Sequence, residues 1–120
     1  MEKVTLSAKF ALIEESWRPK IVGEFNGQAV KLVKFRGRFV WHHHDNADEM
    51  FLGYQGTFRI EFRDHVLEIG PGEFAIVPKG VEHRTAADDD VEVIVIEPVE
   101  TRNTGNVVDP RFTVPPGDRL

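Results

Sequence analysis

The sequence predicts an all-β domain, a barrel or two-sheet jelly roll with a short N-terminal helix in front of it. Three observations carry this expectation. From Gln28 onward apolar and polar residues alternate with a period of two. The alternating runs are short, rich in Val, Ile and Phe, and separated by Gly, Pro, Asn or Asp. Eight such runs fit into about 70 residues, a density that suits closed or double-sheet β architectures.

Taken in order, the chain opens with a segment from Ser7 in which Phe10, Ile13 and Trp17 recur at three- and four-residue spacing. That spacing predicts an amphipathic helix ending before Pro19, its apolar face covering one end of a sheet. Asn26-Gly27 marks a hairpin turn. The expected strands then follow as QAVKLVKF, RFVWHHH, EMFLGYQ, TFRIEFR, HVLEI, EFAIVP, EHRTA and VEVIVIEP. In TFRIEFR the aromatic residues and Ile60 fall on one face and Arg59, Glu61 and Arg63 on the other, as in a wall with an apolar inside and a wet outside. Asp88-Asp89-Asp90 reads as a solvated turn between the last two runs, because it lacks the spaced ligands and glycine of a calcium loop. From Thr101 the tail has no sustained period and reads as an extended strap along the domain surface. A single domain results, with residues 1–28 as helix and lead-in, 29–100 as barrel and 101–120 as tail.

Composition narrows the chemistry. A chain of 120 residues suits one core, and 41% hydrophobic with 29% charged residues is ordinary for a globular domain. No apolar run approaches the length of a membrane-spanning helix, and MEKVTLSAKF lacks the basic-then-apolar order of a secretory signal, so a cytoplasmic protein with no membrane partner is expected. The net charge of −5 argues against a nucleic-acid partner. Lys31, Lys34, Arg36 and Arg38 come closest to a basic patch and read as the solvated face of a strand. With no cysteine, any metal must be held by nitrogen and oxygen.

Such a set of ligands is visible in WHHHDNADEM, Trp41 to Met50. Alternate residues of a strand point the same way, so His42 and His44 aim two imidazoles at one point while Trp41 and His43 face away. After a short turn Glu49 opens the next run and can return its carboxylate to the same place. His83, following the Pro78-Lys79-Gly80 turn, offers a fourth ligand from an adjacent strand. Three imidazoles and a carboxylate suit a divalent transition metal such as iron, manganese, nickel or zinc, and do not suit calcium or magnesium. The plainer alternative is a set of polar rim residues bonded to one another. His43 and His65 read as surface or packing residues, and Trp41 as core or interface. Phe51, Phe58 and Phe62 read as barrel filling. Arg38 shares the parity of the histidines, yet a solvent-facing arginine is the simpler reading.

These residues resemble the cupin family. Its first motif is matched by Gly37, His42, His44, Glu49 and Gly56, and its second by Gly72, Pro78, Gly80 and His83, over residues 37 to 87. Gly37 lies one residue nearer the first histidine than in the commonest pattern, and Ala87 stands where the family often has asparagine. WHHHDNADEMF, VPKGVEHR and NTGN are similar to small single-domain cupins often labelled mannose-6-phosphate isomerase-like, a label that reports fold and does not establish activity. The resemblance implies a double-stranded β-helix and a homodimer built by strand exchange or sheet extension. A divalent ion held by these four residues carries a net charge of about +1 and leaves two of six octahedral positions free. That expectation favours a small oxygen-rich substrate, such as a hydroxy or keto acid, an enediol or a sugar-like polyol, and an isomerase or dioxygenase reaction. A non-catalytic ligand-binding or sensing module with a structural metal is the alternative.

Overall fold

The computed structural model describes residues 1–120. One short helix, α1 (Leu6–Phe10), precedes seven strands: β1 (Lys20–Phe25), β2 (Gln28–Arg38), β3 (Glu49–Gln55), β4 (Phe58–Glu61), β5 (Val66–Ile69), β6 (Phe74–Val77) and β7 (Arg84–Pro98). All pairings between strands are antiparallel. They run β1-β2-β7-β3-β6, with β4 joining β7 to β5. The result is the all-β, barrel-like fold expected.

The first hairpin follows from its turn. Asn26 and Gly27 both have positive φ, 51° and 78°, as a two-residue turn of the primed type requires, and Phe25 then pairs with Gln28. β7 is the central strand of the one seven-stranded sheet. Its start pairs with β4 through Thr85 and Ala86, and its later half lies between β2 and β3. Alternation along β2 and β7 sends Val33 and Phe35, and Val91, Val93 and Val95, into the main core with Phe51, Phe58 and Ile60. Leu32 and Ile94 face the other way and form a smaller outer cluster under Phe10 and Ile13.

Four expectations are corrected. The helix is one and a half turns, because the chain turns away after Phe10. Ile13 stays with Phe10 outside, whereas Trp17, with φ of 67°, swings into the main core against Phe35 and Phe39. RFVWHHH is no strand beyond Arg38: only His42 pairs, with His83. EHRTA and VEVIVIEP join into β7, so Asp88-Asp89-Asp90 lies on an exposed stretch of strand rather than in a turn. Arg59 and Arg36 pair with Asp88 and Asp90 there, which offsets the crowding of like charges. Finally, β1 was not anticipated; its six residues have only Ile21 buried, too weak an alternation to register.

Candidate metal centre

Phe39 to His44 is irregular, and its position is fixed from two sides. His42 exchanges main-chain hydrogen bonds with His83 (3.0 and 2.9 Å), and Gly80 N–H donates to His44 O (2.8 Å). On the other side His43 N–H donates to Asn106 Oδ1 (2.8 Å), and Asn106 N–H donates to His43 O (3.0 Å). Gly105 makes this approach possible: a Cβ there would lie 2.1 Å from His43 O. The Lys79 N–H donates to Asp48 Oδ1 (2.9 Å), which ties the turn before Glu49 to the turn before His83.

These restraints bring His42, His44, Glu49 and His83 together, with one ligand atom of each within 4.8 Å of all the others. All four are buried. His42 Nδ1 and His83 Nδ1 each lie 2.9 Å from a main-chain carbonyl two residues earlier, Val40 O and Val81 O. A carbonyl only accepts, so both Nδ1 atoms carry a hydrogen, and both Nε2 atoms are left to face the centre. Glu49 Oε1 faces the same centre, 3.2 Å from His83 Nε2 and 3.3 Å from His44 Nε2. The latter contact is out of line for a hydrogen bond, and His44 Nε2 is a buried nitrogen without a partner.

The electrostatics agree with this picture. Burial, reinforced by His83, lowers the pKa of His42 to about 4, so it is a neutral ligand at ordinary pH. Burial raises that of Glu49, but the imidazoles of His44 and His83 outweigh it and hold the carboxyl well below its usual range. Three imidazoles and a carboxylate converging on one point form a donor set that can coordinate a divalent metal. Such an ion supplies Lewis acidity to an oxygen-bearing ligand.

The remaining candidates lie elsewhere. His43 turns outward, its Nε2 3.0 Å from Asp45 Oδ1. His65 is exposed, paired with Asp64 and stacked on Phe62. Arg38 is exposed. Trp41 carries the guanidinium groups of Arg63 and Arg84 on its ring at 3.9 and 4.6 Å, away from the centre. Phe58 and Phe62 fill the barrel, whereas Phe51 also lines a cavity next to Glu49.

Two residues of functional interest that the sequence did not suggest meet at that cavity: Glu97 lines it, and Lys31 pairs with Glu97. Lys31 is not on a solvated face. It shares the parity of Val33 and Phe35, points inward, and places Nζ 3.1 Å from Oε1 of the buried Glu97. Burial and the neighbouring Glu49 push the Glu97 carboxyl well above its usual range, partly opposed by Lys31. Oε2 of Glu97 has no hydrogen-bond partner. Parity would have found both residues, since Glu97 continues the inward series Val91, Val93, Val95.

An antiparallel barrel with an internal cluster of three histidines and a glutamate defines a class of small metal-site β proteins, and comparison with known proteins names the family. The model of the cupin domain matches residues 31–97, and the chain belongs to the cupin family. A cupin-2 domain protein from Shewanella frigidimarina is 40% identical, the match covering 79% of this chain and 93% of that one with a TM-score of 0.78. A protein of Neisseria meningitidis is 33% identical over 80% of this chain and 98% of its own, with a TM-score of 0.74. The Bacillus subtilis protein YdbB is 35% identical over 65 residues, 53% of this chain and 58% of its own length, so this match spans less than two thirds of that relative.

Proposed function

We propose that the protein is a divalent-metal-dependent enzyme acting on a small oxygen-bearing molecule. One observation carries the reading: His42 and His83, each fixed through Nδ1 by a main-chain carbonyl, converge with His44 and Glu49 so that one ligand atom of each lies within 4.8 Å of all the others. An ion satisfies all four side chains at once, whereas a hydrogen-bond cluster leaves His44 Nε2 buried without a partner. The catalytic half of the reading is supported by the cavity that reaches both His42 and Glu49, which gives a small molecule a seat beside the ion. A larger, polar groove touches only His44 of the four.

Elemental analysis of protein purified without a histidine tag tests the metal. About one transition-metal ion per chain is expected, and protein that stays metal-free after exposure to manganese, iron, nickel and zinc refutes the reading. Turnover or oxygen uptake with a panel of small hydroxy and keto compounds then separates an enzyme from a non-catalytic binder.

A further inference from the structure

We propose that Glu97 selects the ligand of this centre, and that the ligand is a short, weakly polar α-hydroxyketone or its enediol, in preference to a carboxylic acid or a polyol. This rests on the metal-centre reading above and narrows its substrate class.

The argument starts from a buried oxygen. Glu97 is 2% exposed, its Oε1 is held by Lys31 Nζ, and that ammonium is anchored further by Thr101 O at 3.3 Å. Oε2 has no protein partner, and the side chain forms part of the cavity wall that also includes His42 and Glu49. A buried carboxyl oxygen left unpaired is costly, so a ligand that pairs with it gains selectively over one that does not. A hydroxyl is the group that suits it, because it can donate or accept and so meets Oε2 whichever partner carries the hydrogen. A carboxylate only accepts and would face Glu49 and Glu97 together.

The rest of the cavity limits the body of the ligand. Trp17, Val33, Phe35, Phe39 and Val95 supply hydrocarbon walls. Asn103 is committed to the tail, donating to Phe112 O (2.7 Å) and accepting from Val114 N–H (3.1 Å). Thr85 is then the one further polar side chain in the wall, so additional hydroxyls on a polyol would mostly be buried against carbon. The hollow is about 390 Å³ including its open mouth, and only about 40 Å³ of it admits the centre of a water molecule. That is room for about three waters, which restricts the occupant to a few non-hydrogen atoms. A hydroxyl placed at Glu97 leaves the neighbouring carbonyl oxygen for the ion.

The test uses manganese-loaded protein and three probes of similar size: acetoin, butanone, which lacks its hydroxyl, and dihydroxyacetone, which has one carbon fewer and one hydroxyl more. Paramagnetic relaxation of the probe protons reports binding beside the ion without any turnover. Acetoin is expected to bind at least tenfold more tightly than either comparator. In Lys31→Met/Glu97→Leu, which removes the buried pair without leaving one charge unmatched, the acetoin advantage should vanish while butanone and manganese affinities stay within threefold. An acetoin preference that survives the double substitution, or dihydroxyacetone binding as tightly as acetoin, overturns the assignment. The three-probe comparison on the unaltered protein decides the question even if the double variant fails to fold. If the unaltered protein retains no manganese, as read from water relaxation, the metal-centre reading falls and this inference falls with it; retained manganese with no preference among the probes sinks the inference alone.

Discussion

Acceptor atoms crowded around one point make the centre sensitive to both metal and acid. Glu49→Ala or His83→Ala should weaken metal binding by at least about tenfold, since each removes a direct ligand. His43→Ala and His65→Ala, which turn away from the centre, should leave metal content by elemental analysis unchanged. The metal-free protein should also lose stability in acid. Because the pKa of His42 is lowered from 6.5 to about 4, the unfolded chain takes up this proton more readily than the folded one. The stabilisation is therefore full above pH 6.5 and is lost as pH falls towards 4, by up to about 3 kcal/mol. The raised Glu97 acts in the opposite sense, favouring the folded state at low pH and withdrawing that support as pH rises, so a thermal-melting series reports the sum. An NMR titration of the metal-free protein isolates His42, and protonation of its imidazole near pH 6.5 would show that it is not held neutral. The four candidate ligands were legible because side-chain parity survives even where the strand does not. Lys31 and Glu97 were not, because a charged residue reads as solvated until its partner, 66 positions away, is seen beside it.

At the scale of elements, the histidine segment depends on a clamp supplied by the tail. Gly105→Ala adds a Cβ at 2.1 Å from His43 O, at a φ of 55° that side chains rarely adopt, and reaches within 3.1 Å of His42 Cδ2. It should destabilise the fold by about 1–3 kcal/mol and weaken metal binding at the same time, because the displaced backbone carries His42 with it. Loss of stability with metal affinity intact would separate the clamp from the centre. The helix gives a second case. Phe10 is 1% exposed and stacks on Tyr54 with ring centroids 5.0 Å apart, so Phe10→Ala should cost about 3–5 kcal/mol in denaturant unfolding. Here the apolar spacing located the right residues and misjudged the element. Phe10, Ile13 and Trp17 are all buried, but they serve two different clusters, and a three-and-four pattern cannot distinguish one helical face from a turn that distributes its residues. Likewise the acidic run at 88–90 looked like a break in sequence; it falls at an irregularity of the β2–β7 ladder, between the pairs Phe35–Val91 and Gly37–Ala87, where charges from β2 and β4 offset its own.

For the whole molecule, strand order determines what is left uncovered. β6 is an edge strand, and its Phe74 and Ile76 are 58% and 53% exposed. Apolar edges of this kind favour association between copies, so light scattering is expected to give twice the 13.7 kDa of one chain, and Ile76→Lys is expected to shift it towards one; a monomer at all concentrations would reject the homodimer. The barrel itself was the most legible feature, because alternation in β2 through β7 reports a buried face directly, while its topology depends on one long strand bridging β2, β3 and β4, which no local pattern encodes. That bridging strand also sets a hierarchy of opening. Amide hydrogens of β7 from Glu92 to Ile96, flanked on both sides, should exchange with deuterated solvent only when the entire molecule unfolds. Those of β5, whose Val66, Leu67 and Glu68 are exposed and whose single partner is β4, should exchange orders of magnitude sooner, through local fraying that leaves the histidine cluster intact.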